Sequence, residues 1–74
     1  MIGGQDMRET LARKLRRQSG LSIAALSHEL RINSTIIGMT ERRQLVPSKR
    51  AREAMSKFFK VTENEIFDIN GLAV

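Results

Sequence analysis

The stretch LSIAALSHELRINSTIIGMTER, residues 21–42, holds two runs of helical spacing with only Arg31-Ile32-Asn33 between them. Ser22 stands where it can cap the first run, whose apolar face is Leu26 and Leu30, with Leu21 just ahead and the last helical residue at Leu30. Asn33 stands where it can cap the second, which the spacing predicts from Ser34 to about Arg42. Two helices this short cannot lie antiparallel across so brief a link while both bury apolar stripes. They are therefore expected to cross steeply and leave the second one prominent. At ~100° per residue, Ile37, Thr40 and Glu41 fall on one side of that helix and Thr35, Gly38, Met39 and Arg42 on the other. Ser34, Ile36 and Arg43 flank these faces.

Upstream, Asp6 and Glu9 form a D-x-x-E box ahead of Met7, Leu11 and Leu15, predicting a helix from about Met7 to Ser19 that Gly20 stops. Downstream, Arg43-Gln44-Leu45-Val46-Pro47 reads as a loop, and Ser48 caps a helix from Lys49 to Phe59 with Ala51, Met55, Phe58 and Phe59 as its apolar bulk. Thr62-Glu63-Asn64-Glu65 is a capping box before Ile66 and Phe67, and Asn70-Gly71 ends that last turn. Five short helices and no strand make the class all-α, one compact domain without repeat or linker. The expected division is a flexible N-terminus at 1–6, a domain at 7–69 and a C-terminal tail at 70–74.

Composition narrows the function. The chain has 74 residues, no Cys and a single His, so neither disulfides nor a metal is expected to staple it, and no cofactor is implied. His28-Glu29 begins an H-E-x-x-H zinc pattern, but position 32 is Ile. One modest core leaves little room for a deep catalytic cleft, so an enzyme or a small-molecule site is not expected. No run approaches the ~18 apolar residues of a membrane span, and MIGGQDM lacks the basic and apolar regions of a leader, which places the chain in the cytoplasm. Lys and Arg total 13 against 8 acids, a net charge of +5. Residues 1–60 hold all 13 cations and five acids, a net +8, while Glu63, Glu65 and Asp68 give residues 61–74 a net −3. The cations cluster as Arg8/Arg13/Lys14/Arg16/Arg17 and Arg42/Arg43/Lys49/Arg50/Arg52. A basic body with an acidic end suggests an anionic partner, most simply nucleic acid.

With these residues in order, Leu15-Arg16 before Gly20-Leu21-Ser22, then Leu26, Leu30, Ile32, Ile37, Glu41-Arg42, Pro47-Ser48, Val61-Thr62 and Glu65-Ile66-Phe67, the chain from Ala12 to Asp68 resembles the Cro/repressor-type (XRE-like) helix-turn-helix DNA-binding domains. The resemblance implies a lambda-repressor-like fold. It implies that the third helix reads the major groove through Ser34, Thr35, Ile36, Gly38 and Met39. It further implies a structural ion pair between Arg16 and Glu41, and phosphate contacts from Arg42, Arg43, Lys49 and Arg50.

The chain departs from the family pattern at several places. Ile23 stands where a phosphate-holding Gln is usual, Ser27 where a small Ala is usual, Thr40 at a usually apolar position, and Arg31 and Arg43 where Gly is usual. Arg31 then needs a left-handed conformation or a different turn. The five reading positions also lack the Arg, Lys, Asn or Gln on which direct readout most relies, offering hydroxyls and methyls instead, so thymine-rich or shape-dependent readout is expected. The lesser alternative is that Ile36 and Met39 are exposed because they pack on a partner protein or partner subunit. The expected function is a DNA-binding transcriptional regulator, nucleoid-associated, of phage, plasmid or restriction-system type. It would bind a pseudo-palindromic operator as a homodimer through Ile66, Phe67, Ile69, Leu72 and Val74. Such a regulator would act by blocking or touching polymerase; the alternatives are a helix-turn-helix protein-interaction module and a DNA-binding antitoxin, whose tail would hold a toxin.

Overall fold

A residue with a side-chain oxygen precedes every helix, and in the computed structural model, which describes residues 9–74, each accepts a backbone N–H of the helix it opens. Thr10 opens α1 (Leu11–Gln18), Ser22 opens α2 (Ile23–Leu30), Asn33 opens α3 (Ser34–Glu41) and Ser48 opens α4 (Lys49–Phe59). Thr62 opens α5 (Glu63–Ile66) in a full capping box, its own N–H donating to Glu65 Oε1 at 2.7 Å while Glu65 N–H donates to Thr62 Oγ1. Each cap satisfies an N–H that has no partner within its helix. Among the described residues there are five helices and no strand, an all-α chain.

Four helices end in one way. The residue after the helix's closing turn donates its N–H to the carbonyl five positions back: Leu21 to Arg16, Ile32 to Ser27, Gln44 to Met39 and Val61 to Ser56, at 2.8 to 3.2 Å. The residue just before it is left-handed in every case, Gly20 (φ 74°), Arg31 (57°), Arg43 (60°) and Lys60 (60°). This closure puts one residue at positive φ and, in all but the α3 case, where Gln44 is exposed, an apolar residue beneath the helix end. Leu21, Ile32 and Val61 accordingly pack into the core. Of the two alternatives open to Arg31, a left-handed conformation or a different turn, the chain takes the first. Ser27 helps to hold the α2–α3 link, its hydroxyl donating to the Ile32 carbonyl.

The core is built from Ala12 of α1, Leu26 and Leu30 of α2, Ile37 of α3, Ala51 and Met55 of α4, Ile66 of α5, and Phe67 and Ala73 beyond it. Helix α2 packs on both α3 and α4, and α4 on α5. Thr40 is also fully buried, its hydroxyl donating to the Ile36 carbonyl at 2.7 Å, so a polar side chain occupies the core position without an unpaired group.

Two boundaries differ from the expectation. Helix α1 starts at Leu11 behind Thr10, not at Met7 behind Asp6; Glu9 precedes the helix and meets Arg17 instead. Asp6, Met7, Arg8 and the whole 1–6 segment lie outside the described residues. The stretch 70–74, expected as a tail, is folded in. Phe67 and Ala73 form an antiparallel bridge, Val74 N–H donates to the Ile66 carbonyl at 3.1 Å, and the Val74 carbonyl accepts Leu11 N–H at 2.7 Å. Asp68 shapes the intervening turn by accepting Asn70 and Leu72 N–H on Oδ1. This closure gives the first N–H of α1 an acceptor that its own helix cannot supply.

Candidate nucleic-acid interface

Helix α3 is held by its C-terminal end. Arg16 donates from Nε to Glu41 Oε2 at 2.6 Å and from Nη2 to Oε1 at 3.1 Å, while its Nη1 reaches the Leu21 carbonyl at 2.8 Å. Both side chains are buried. The Thr10 hydroxyl donates to the Glu41 carbonyl at 2.8 Å. Glu41 thus ties α3 to the cap of α1 and, through Arg16, to the last turn of α1 and the α1–α2 turn. The planar fork matches the carboxylate in two parallel bonds, so orientation as well as distance is set.

The opposite, N-terminal end of α3 is open. Ser34 and Thr35 are exposed, with the Thr35 backbone N–H taken by the Asn33 side chain at 2.7 Å. The remaining expected reading positions fare differently. Ile36 is half-buried and packs against the core, and Met39 is half-buried. Gly38 is not open to a groove: it is buried, and a β-carbon built on it would lie 3.2 Å from Arg42 Nη1 and 3.8 Å from Arg42 Cζ. The guanidinium of Arg42 lies back across it. Ile23, at the position where a phosphate-holding side chain was missed, also packs against the core.

The four expected phosphate contacts are all exposed, but they are not equally available. Arg43 stands 3.5 Å from Asp68 Oδ2, and Arg42 donates from Nε to Gln44 Oε1 at 3.1 Å. Arg42, Lys49 and Arg50 form no salt bridge among the described residues. Lys49 and Arg50 occupy the first turn of α4, where the helix dipole disfavours cations. An anion there would be met by two side chains and by the helix terminus. Of the remaining clustered cations among the described residues, Lys14 is exposed without a salt bridge and the arginines are paired within the molecule. Arg13 and Arg17 flank Glu9, Arg16 holds Glu41, and Arg52 holds the Pro47 carbonyl at 2.7 Å and Glu63 at 3.6 Å.

The acidic end is likewise committed rather than set apart: Glu63 to Arg52, Asp68 to Arg43 and to its own turn, Glu65 to its cap. Of the expected dimer residues, Ile66 and Phe67 are core, because α5 is the lid of the domain's own interior. Leu72 is half-buried, Val74 is half-exposed, and Ile69 is wholly exposed. Val46, also exposed, borders the same turn, its Cγ1 only 2.7 Å from where a β-carbon on Gly71 would sit.

Two features of this surface were missed in the sequence: the cover that Arg42 forms over Gly38, and the parts of Gln44 and Asp68 in holding Arg42 and Arg43. The first had a legible signal, since helical side chains lean toward the N-terminus and a glycine four residues earlier offers nothing to stop them. Among the described residues no cluster of three His, Cys, Asp or Glu side chains could hold a metal, and no helix is long and apolar enough to cross a membrane. No family model, no curated protein and no solved structure matches the chain.

Proposed function

We propose that the chain is a DNA-binding regulator that presents α3 to the major groove as the second helix of a helix-turn-helix, in a lambda-repressor-like arrangement. The observation that carries this reading is the contrast in charge. The arginines of α1 are paired, Arg16 with Glu41 and Arg13 and Arg17 sharing Glu9, whereas Arg42, Lys49 and Arg50, at the end of α3 and the start of α4, are exposed without carboxylates, as Lys14, Arg31, Lys57 and Lys60 also are. A short helix pinned at one end, open at the other and followed by free cations suits a groove walled by phosphates. Regulation would come from occupancy of the site, with no chemistry.

Symmetric operators place half-sites about one turn apart, ~34–36 Å, so a two-fold dimer fits this reading. Its contact would centre on Ile69, Val46 and Val74, with Leu72 at the edge. The same exposed Ile69 is what a protein-interaction module or an antitoxin would offer a protein partner.

The test is binding to random duplexes by anisotropy, repeated across salt. Log affinity should fall with a slope of about −0.9 for each phosphate contacted, and selection should enrich a pseudo-palindrome. Binding no tighter to any duplex than to heparin, with no sequence enriched, would overturn the reading in favour of a protein-interaction module.

A further inference from the structure

The geometry points to Arg42 as a base-reading residue on the outward face of α3, rather than a phosphate contact at its end; the inference rests on the DNA-binding reading above. Arg42 follows the last helical residue, yet its guanidinium is returned one turn toward the N-terminus. Nη1, Nη2 and Cζ lie 3.2, 3.7 and 3.8 Å from the point a β-carbon on Gly38 would occupy. Long helical side chains lean this way, but a side chain at position 38 would crowd the guanidinium outward. Glycine inside a helix of eight residues weakens that helix relative to alanine. Here it admits a cation onto the very surface that Thr35 and Met39 share.

The guanidinium is also oriented. Gln44 Oε1 accepts from Nε at 3.1 Å, which leaves the N–H groups of Nη1 and Nη2, the end of the fork, unclaimed. No carboxylate competes for them among the described residues, in contrast to Arg16, Arg43 and Arg52. Two parallel donors on a major-groove face match the O6 and N7 acceptors of guanine. Thr35, seven residues before Arg42 and on the same face, offers a hydroxyl and a methyl to a neighbouring base pair. The face therefore holds one strong reader, and a guanine in each half-site replaces the thymine-rich preference that its own short side chains suggest.

The experiment selects a site from random duplexes with the unaltered protein, then replaces its invariant guanine by 7-deazaguanine, which lacks the N7 acceptor. The unaltered protein should lose affinity, by less than the about 5- to 150-fold that a whole bidentate contact is worth, because O6 is kept. Arg42→Ala should bind the natural and the substituted sites equally. Gly38→Ala should relax the preference at that position while its thermal transition stays at or above that of the unaltered protein, which separates displaced guanidinium from lost fold. The inference is overturned if no guanine is invariant. It is equally overturned if Arg42→Ala weakens every sequence alike and lowers the salt slope by about one, the signature of a phosphate contact; either result leaves the DNA-binding reading standing. Failure of the unaltered protein to select any sequence overturns both.

Discussion

Arg16 and Glu41 are the residues on which the position of α3 depends most directly. Their side chains are almost wholly buried, so removing one strands the other's charge, at a cost of about 3–5 kcal/mol where a surface pair would cost under about 1. Arg16→Ala should therefore lower the urea midpoint by a large share of the stability of so small a domain. A loss below about 1 kcal/mol would show that water reaches the pair. The left-handed residues work in the other direction. Arg31 and Lys60 each carry a β-carbon at φ 57° and 60°, a conformation that costs a non-glycine residue about 1 kcal/mol or more. Arg31→Gly and Lys60→Gly should each raise stability by up to about 1 kcal/mol in denaturant unfolding. Arg31 was legible as a candidate strained position because it stands where the resembled domains usually carry Gly. The Lys60 strain was equally local but hidden behind an ordinary lysine.

At the scale of elements, caps and closures were the readable layer. Ser22, Asn33, Ser48 and Thr62 bond to N–H groups two or three residues on, and a bond that local can be inferred from spacing alone. The start of α1 was misplaced because Asp6 and Glu9 satisfy the same spacing as a true box. Thr10 prevails through a second bond, to the Glu41 carbonyl 31 residues away, that no local window contains. The α2–α3 link shows how a turn can do without the usual glycine. Ser27 takes two N–H groups on its carbonyl and gives its hydroxyl to Ile32. Ser27→Ala should cost about 1 kcal/mol, the worth of one such bond, and should broaden the amide signals of residues 30–34 in NMR spectra. An unchanged link would mean that the backbone closure alone suffices.

For the whole molecule, the net +5 overstates what DNA would feel in some places and understates it in others. Asp68 faces Arg43, so Asp68→Asn, which keeps an oxygen for the Asn70 and Leu72 amides, should tighten DNA binding several-fold at low salt and less at high salt. No change would remove Arg43 from the interface. Deleting residues 69–74 would take Ala73 from the core and the Val74 bonds from Leu11 and Ile66, so it should unfold the domain instead of merely separating protomers. Ile69→Asp is the informative change. Ile69 is fully exposed, and sedimentation should show a monomer with an unaltered thermal transition if a dimer forms there. By itself the sequence determined the all-α class, four of the five capping residues and the steep charge asymmetry. These rest on bonds spanning a few residues or on composition. Only the tertiary structure decided which cations are free, that Gly38 lies beneath Arg42, and that the C-terminal stretch closes the core. The contacts of Glu41 with Arg16, Asp68 with Arg43 and Val74 with Leu11 join residues 25 or more positions apart, and such pairs exist only once the helices have packed.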